Sequence, residues 1–203
     1  VKRYPAVRLF VERAQSAGGS FDLDADSTPL VAGICERLEG LPLGIELASA
    51  RLRTLSLSAL AAMIDAGVAE PEAGPALPHR QRSLDASVGW SCALLSDHER
   101  AVLERMSVFA GSFSAEAAAA VSELDSDDAQ RVLASLAEQS LLALRTTDHE
   151  ARYRMHQVVR QYAQTRLGAD ADRRARDHHL CYYRGLAEEV ARRLHTGSER
   201  VWL

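Results

Sequence analysis

Hydrophobic positions in the first third of the chain recur three and four residues apart, the spacing of one buried helix face. Val7, Phe10, Val11 and Ala14 make one such stripe, so a helix is predicted from Pro5 to Ala17, ended by Gly18-Gly19. Asp22, Asp24 and Asp26 then read as a polar loop. Leu30, Val31, Ile34, Cys35 and Leu38 form the next stripe, with Thr28 as cap and Pro29 at the first helical position. Gly40-Leu41-Pro42-Leu43 breaks the chain. Two more helices follow, one from Leu43 to Leu52 and one from the Ser56 cap to about Asp65.

Residues 67–80 hold Gly67, Pro71, Gly74, Pro75 and Pro78 and read as a linker. Beyond it a helix is predicted from Ser83 to Leu95. Ser96-Asp97-His98-Glu99 has the serine and glutamate of a capping box, and its helix is expected to reach Phe109. Gly111 ends that helix, Ser114 caps an alanine-rich one, and Ser126 with Asp127 and Asp128 opens another that reaches Gln139. The period then changes to two. Leu142 and Leu144 share one face, Tyr153 and Met155 share another, and Thr147-Asp148-His149-Glu150 fits the turn of a β-hairpin. Helices run again from Gln157 to Leu167 and from Ala171 to Leu194, the last with Glu188–Arg192 and Glu189–Arg193 four apart and an apolar stripe of Tyr182, Leu186 and Val190. The fold class expected is mainly α: a helical bundle (1–66), the linker (67–80), a winged-helix domain of three helices plus a hairpin (81–168) and a C-terminal helical segment (169–203).

Composition narrows this picture a little. The chain has 203 residues, 47% of them hydrophobic, enough for one or two small cores. A formal net charge of −4 demands neither a nucleic-acid nor a membrane partner. Lys2 is the only lysine, so 23 of the 24 basic residues are arginines. Cys35, Cys92 and Cys181 are far apart and odd in number, which fits a reduced, cytoplasmic chain. No apolar run has the length of a membrane span. Val1 is not an initiator methionine and Val201-Trp202-Leu203 is no helix-ending signal, so a piece of a larger protein is expected.

Catalytic motifs are tested and set aside. A phosphate-binding loop needs Gly-Lys-Ser/Thr, and Lys2 stands between Val1 and Arg3, so the chain alone is expected not to hydrolyse a nucleoside triphosphate. Asp22, Asp24 and Asp26 open like a calcium loop, but Ser27 and Gly33 stand where it needs glycine and glutamate. His178, His179 and Cys181 lack a distant pair of partner ligands. Read physically, Gly40 to Leu43 is a structural turn. His156 lies where a strand gives way to a helix N-terminus, a place that favours anions, although on the residues alone a half-buried histidine closing the wing is the preferred reading.

The segments Leu9 to Ala14 and Ile34 to Ala48, which includes Gly40-Leu41-Pro42-Leu43, resemble the helical domain of NB-ARC ATPases of the signal-transducing STAND class. Phe109 to Phe113 and Tyr153 to Ala163, with Met155-His156-Gln157, resemble the winged-helix domain of that family. The resemblance covers residues 5–203, is nearest to bacterial regulators with LuxR-type DNA-binding domains, and makes 169–203 the start of a helical repeat region. It implies that Leu41 and Pro42 lie by the adenine of bound nucleotide and that His156 contacts the β-phosphate of ADP. Gln157 departs from the aspartate of the family motif.

The resemblance further implies ADP or ATP as cofactor of the full-length parent, none held by this piece alone, and no catalytic or metal-binding residue here. The implied partners are an upstream P-loop ATPase domain of the same chain, protein partners through the C-terminal helices, and DNA through another domain of the parent, with no membrane. The leading expectation is therefore a regulatory fragment of an ATP/ADP switch that controls transcription, no enzyme itself. The alternatives are a winged-helix DNA-binding module or a helical interaction scaffold. Against the module, residues 127–138 hold Asp127, Asp128 and Glu138 with only Arg131, while Arg152, Arg154 and Arg160 give a modest basic edge.

Overall fold

The computed structural model describes residues 4–16, 21–68, 87–146 and 150–195. Among the described residues the protein is mainly helical with one small sheet. Helices α1 (Pro5–Ser16), α2 (Ser27–Arg37), α3 (Pro42–Ala50) and α4 (Leu57–Val68), with a 3-10 turn at Arg51–Arg53, form a bundle in which α1 lies on α3 and α2 on α4. The predicted stripes make its core: Phe10, Val31, Ile34, Ile45 and Leu60 are fully buried, and Phe21 meets the Phe10 ring edge-on at 5.9 Å. Each such side chain contributes roughly 1.5–3 kcal/mol by leaving water.

The start of α2 differs from expectation. Thr28 does not cap it; the Asp24 carboxylate accepts hydrogen bonds from the Ser27 amide and hydroxyl and from the Asp26 amide. Asp24 is nearer the free amides, and these bonds hold its carboxyl below the ordinary range. The turn after α2 needs two successive left-handed residues, Glu39 (φ 53°) and Gly40 (φ 66°), and the Gly40 amide closes it on the Cys35 carbonyl at 2.9 Å. Glycine takes that shape without strain. Helix α3 ends at Ala50, two residues short of expectation, where the backbone tightens into the 3-10 turn. Helix α4 runs on to Val68, into the start of the predicted linker, whose remaining residues lie outside the described ones.

The second unit contains α5 (described over 87–93), α6 (Asp97–Met106), β1 (Ser112–Phe113), α7 (Ala115–Ser122), α8 (Ser126–Glu138), β2 (Leu142–Thr146), β3 (Ala151–Met155), α9 (Gln157–Arg166) and α10 (Ala169–His195). The capping box forms as expected: Ser96 Oγ accepts from the Glu99 amide and Glu99 accepts from the Ser96 amide. Helix α6 stops at Met106, three residues before Phe109, because the Phe109 amide turns back to the Met106 carbonyl at 3.1 Å. That turn lets Phe109 stack on Phe113 at 4.3 Å. The cap of α8 is Asp125, which accepts from the Asp128 amide, not Ser126. The predicted hairpin is present, with Leu142 opposite Met155 and Leu144 opposite Tyr153. Its turn residues 147–149 lie outside the described ones. Strand β1 was not expected. It pairs antiparallel with β3, which gives the order β1-β3-β2.

Two helices stitch the units together. Helix α3 turns Ile45 and Ala48 into the bundle core but Leu47 into the core of the winged helix, where Leu43 also packs. Helix α5 does the reverse: Val88 and Cys92 belong to the winged-helix core while Trp90 packs on the bundle core. Arg51 is buried at this junction and donates from Nη2 to the Ser91 carbonyl at 2.6 Å. Arg53 pairs with Glu138 at 2.9 Å across the rim of a cleft of about 220 Å³ that Arg13 and Glu46 also line. Helix α10 packs on α7 and α6, burying Ala175 and placing His179 and Tyr183 against Phe109. On its surface Glu188 meets Arg184 and Glu189 meets Arg192; the side chain of Arg193 lies outside the described ones.

Candidate functional site

Helix N-termini position all three residues expected to hold nucleotide. Leu41 is the half-buried cap residue of α3, in extended conformation, and Pro42 is the exposed first residue of that helix. Proline suits that place because the first amide has no helical partner anyway. His156 is the exposed cap residue of α9, also extended, and its imidazole bonds to no α9 amide; Gln157 beside it is exposed. The half-buried alternative for His156 is thereby corrected: Tyr153 and Met155, on the inward face of β3, close the core instead. No hydrogen bond or ion pair among the described residues joins Leu41 or Pro42 to His156.

The remaining chemistry lies on the winged helix. Helix α8 presents Asp127, Gln130, Arg131 and Ala134 to solvent. Asp128 on the same helix is held from two sides, by His98 Nε2 at 3.0 Å and by Arg131 at 3.1 Å. The single arginine of α8 is thus already engaged with a carboxylate.

The sheet behaves differently. Pairing register sets Arg145 directly opposite Arg152 and Ala143 opposite Arg154, and residues opposite each other share a face. Residues two apart on a strand share a face as well, so Arg145, Arg152 and Arg154 stand together on the outer side, beside Ser112 of β1. Arg152 is tied down, by Glu150 at 3.1 Å and by the Ser112 carbonyl at 2.9 Å. Arg145 and Arg154 are exposed and have no ion-pair partner among the described residues. Arg160 leaves the basic edge expected from sequence: it is half-buried and reaches the Phe109 carbonyl at 3.4 Å. Arg145 takes its place. Its signal was the period of two, but only the register shows which residue it faces.

Helix α10 brings Tyr183 within the electrostatic reach of Arg152. Burial raises the Tyr183 phenol, and the nearby charge of Arg152 opposes that rise. His178, Cys181 and His179, weighed above for metal, diverge. His178 lies 3.8 Å from Glu123, His179 packs on Phe109, and Cys181 is exposed. The described residues contain no group of three metal-ligating side chains.

Residues 95–168 match the family described as Winged helix-turn-helix domain. The chain is similar to a Mycobacterium tuberculosis protein of unassigned function, Rv0894, with 39% identity over 177 residues, 82% of this chain and 44% of that protein. It is also similar to the Mycobacterium tuberculosis protein named "Putative HTH-type transcriptional regulator Rv0890c", with 34% identity over 189 residues, 91% of this chain and 21% of that protein. A Mycobacterium bovis protein of the same descriptive name matches equally. The chain therefore carries a winged helix-turn-helix domain and spans less than half the length of these relatives. Among the described residues no helix is long and apolar enough to cross a membrane.

Proposed function

We propose that the chain works inside a transcriptional regulator and that its winged-helix unit is the part that engages DNA. One observation carries this: helices α6, α7 and α8 followed by the β2–β3 hairpin form a winged helix-turn-helix in a chain similar to a protein named as an HTH-type regulator. The test is a band shift of this chain on duplex DNA. Binding is expected at about 50 mM salt and should weaken steeply at higher salt, because phosphate contacts release counterions. A chain that leaves the duplex unshifted at low salt would remove the reading.

A second reading is favoured by the acidic surface of α8, which suits neither groove of DNA, and by the exposed placing of Pro42 and His156 at helix N-termini. Here the parent is a nucleotide-dependent STAND-class switch of the NB-ARC kind with a LuxR-type DNA-binding domain elsewhere, in the cytoplasm. Leu41 and Pro42 pack by the adenine, and His156 donates to the β-phosphate of ADP held by a P-loop domain of the longer protein. A histidine donor beside free helix amides suits a diphosphate. On this reading the chain is no enzyme and binds little ADP by itself. Exchange of ADP for ATP swings the two units, a movement of one body about another. In the longer protein His156→Ala should speed ADP release; an unchanged release rate would exclude His156 from the site.

A further inference from the structure

The register of the β2–β3 hairpin leaves a feature that folding does not call for. Arg145 and Arg152 are cross-strand partners, and Arg154 lies diagonal to Arg145 on the same face. Like charges directly opposite on neighbouring strands destabilise a hairpin, and the diagonal neighbours are only roughly 7–8 Å apart. One of the three charges is compensated: Arg152 has Glu150. Arg145 and Arg154 have no ion pair among the described residues; Ala143 and Ser112 stand opposite Arg154 on the neighbouring strands, and the carboxylate on this face, Glu150, pairs with Arg152. A pair of exposed guanidinium groups on one sheet face, each with five donors, suits the phosphate backbone of a nucleic acid. The exposed surface of α8 does not suit this role. Asp127 and Asp128 stand at its N-terminal turn, where a helix that reads bases would meet phosphates.

We propose that the outer face of the sheet, through Arg145 and Arg154 with Arg152 between them, is the surface that contacts the phosphate backbone of DNA, with α8 held outside the groove. This rests on the DNA-engaging reading of the winged helix and names its contact. Binding through this face reads no base edges, so it orients the regulator on a duplex without choosing the sequence. The bound phosphates also relieve the repulsion between Arg145 and Arg152, so the face is less stable free than bound.

Fluorescence anisotropy with two short labelled duplexes of unrelated sequence tests this. The double variant Arg145→Ala/Arg154→Ala should lose about tenfold or more in affinity on both duplexes, and the slope of log affinity against log salt should shrink by about two. Arg131→Ala on α8 should leave affinity within about twofold. Without DNA, Arg145→Ala should raise the thermal midpoint, an effect that an ordinary solvated arginine would not give. Circular dichroism of the double variant checks that the fold is retained. If Arg131→Ala weakens binding while the double variant does not, the sheet face is overturned and the DNA-engaging reading survives. If the unmodified chain binds neither duplex, both fall together.

Discussion

Single residues in this chain carry costs that can be measured. Glu123 caps the end of α7 in the left-handed conformation, at φ 59° and ψ 37°. A side chain there costs roughly 1–2 kcal/mol that glycine does not incur. Glu123→Gly should therefore raise stability by about 1 kcal/mol in urea unfolding. A fall would mean that the contact with His178, 3.8 Å away, outweighs the backbone strain. Glu99 gives a pH test. Burial pushes its carboxyl up, but the hydroxyls of Ser135 and Ser96 and the Ser96 amide outweigh burial and leave it below its usual 4.5. A depressed folded value adds stability that is complete above the unfolded value and lost as pH falls through the folded one. Between pH about 6 and about 3, Glu99→Gln should flatten the decline of the melting midpoint. An unchanged slope would show that Glu99 is not a source of acid sensitivity.

Elements were legible to the extent that their signals are local. The Ser96 capping box and the alternation of Leu142, Tyr153 and Met155 are patterns within a few residues, and both formed as read. Strand β1 was not legible, because two residues show no period; Ser112 and Phe113 are a strand only because β3 lies beside them. Helix α3 shows the same limit. Its apolar residues look like one face of a bundle helix, yet Ile45 and Leu47 serve different cores. Leu47 is fully buried, so Leu47→Ala should cost about 2–5 kcal/mol. Loss of hydrogen-exchange protection should extend to α6 and α8 of the winged helix. Protection lost from the bundle alone would contradict the placing of Leu47.

At the scale of the whole molecule, the junction decides the behaviour. Leu47, Trp90 and buried Arg51 link bundle and winged helix, and the Arg51 bond to the Ser91 carbonyl lies between them. Unfolding one unit would expose the apolar surface of the other. A single transition is therefore expected, with far-ultraviolet circular dichroism and Trp90 fluorescence coinciding in a Trp202→Phe background. Two separated midpoints would show that the units are independent. The order of the helices and the hairpin was determined by the sequence alone, because helical and strand periods, caps and glycine turns act between near neighbours. So was the want of a phosphate-binding lysine. The proposed surface is only partly legible: Arg152 and Arg154 stand out in the sequence, Arg145 does not, and Arg160 lies half-buried on α9 against the Phe109 carbonyl. Which arginines face one another depends on strand register, and which leucine crosses to a second core depends on packing. Both join residues distant in the chain, and only the tertiary structure could decide them.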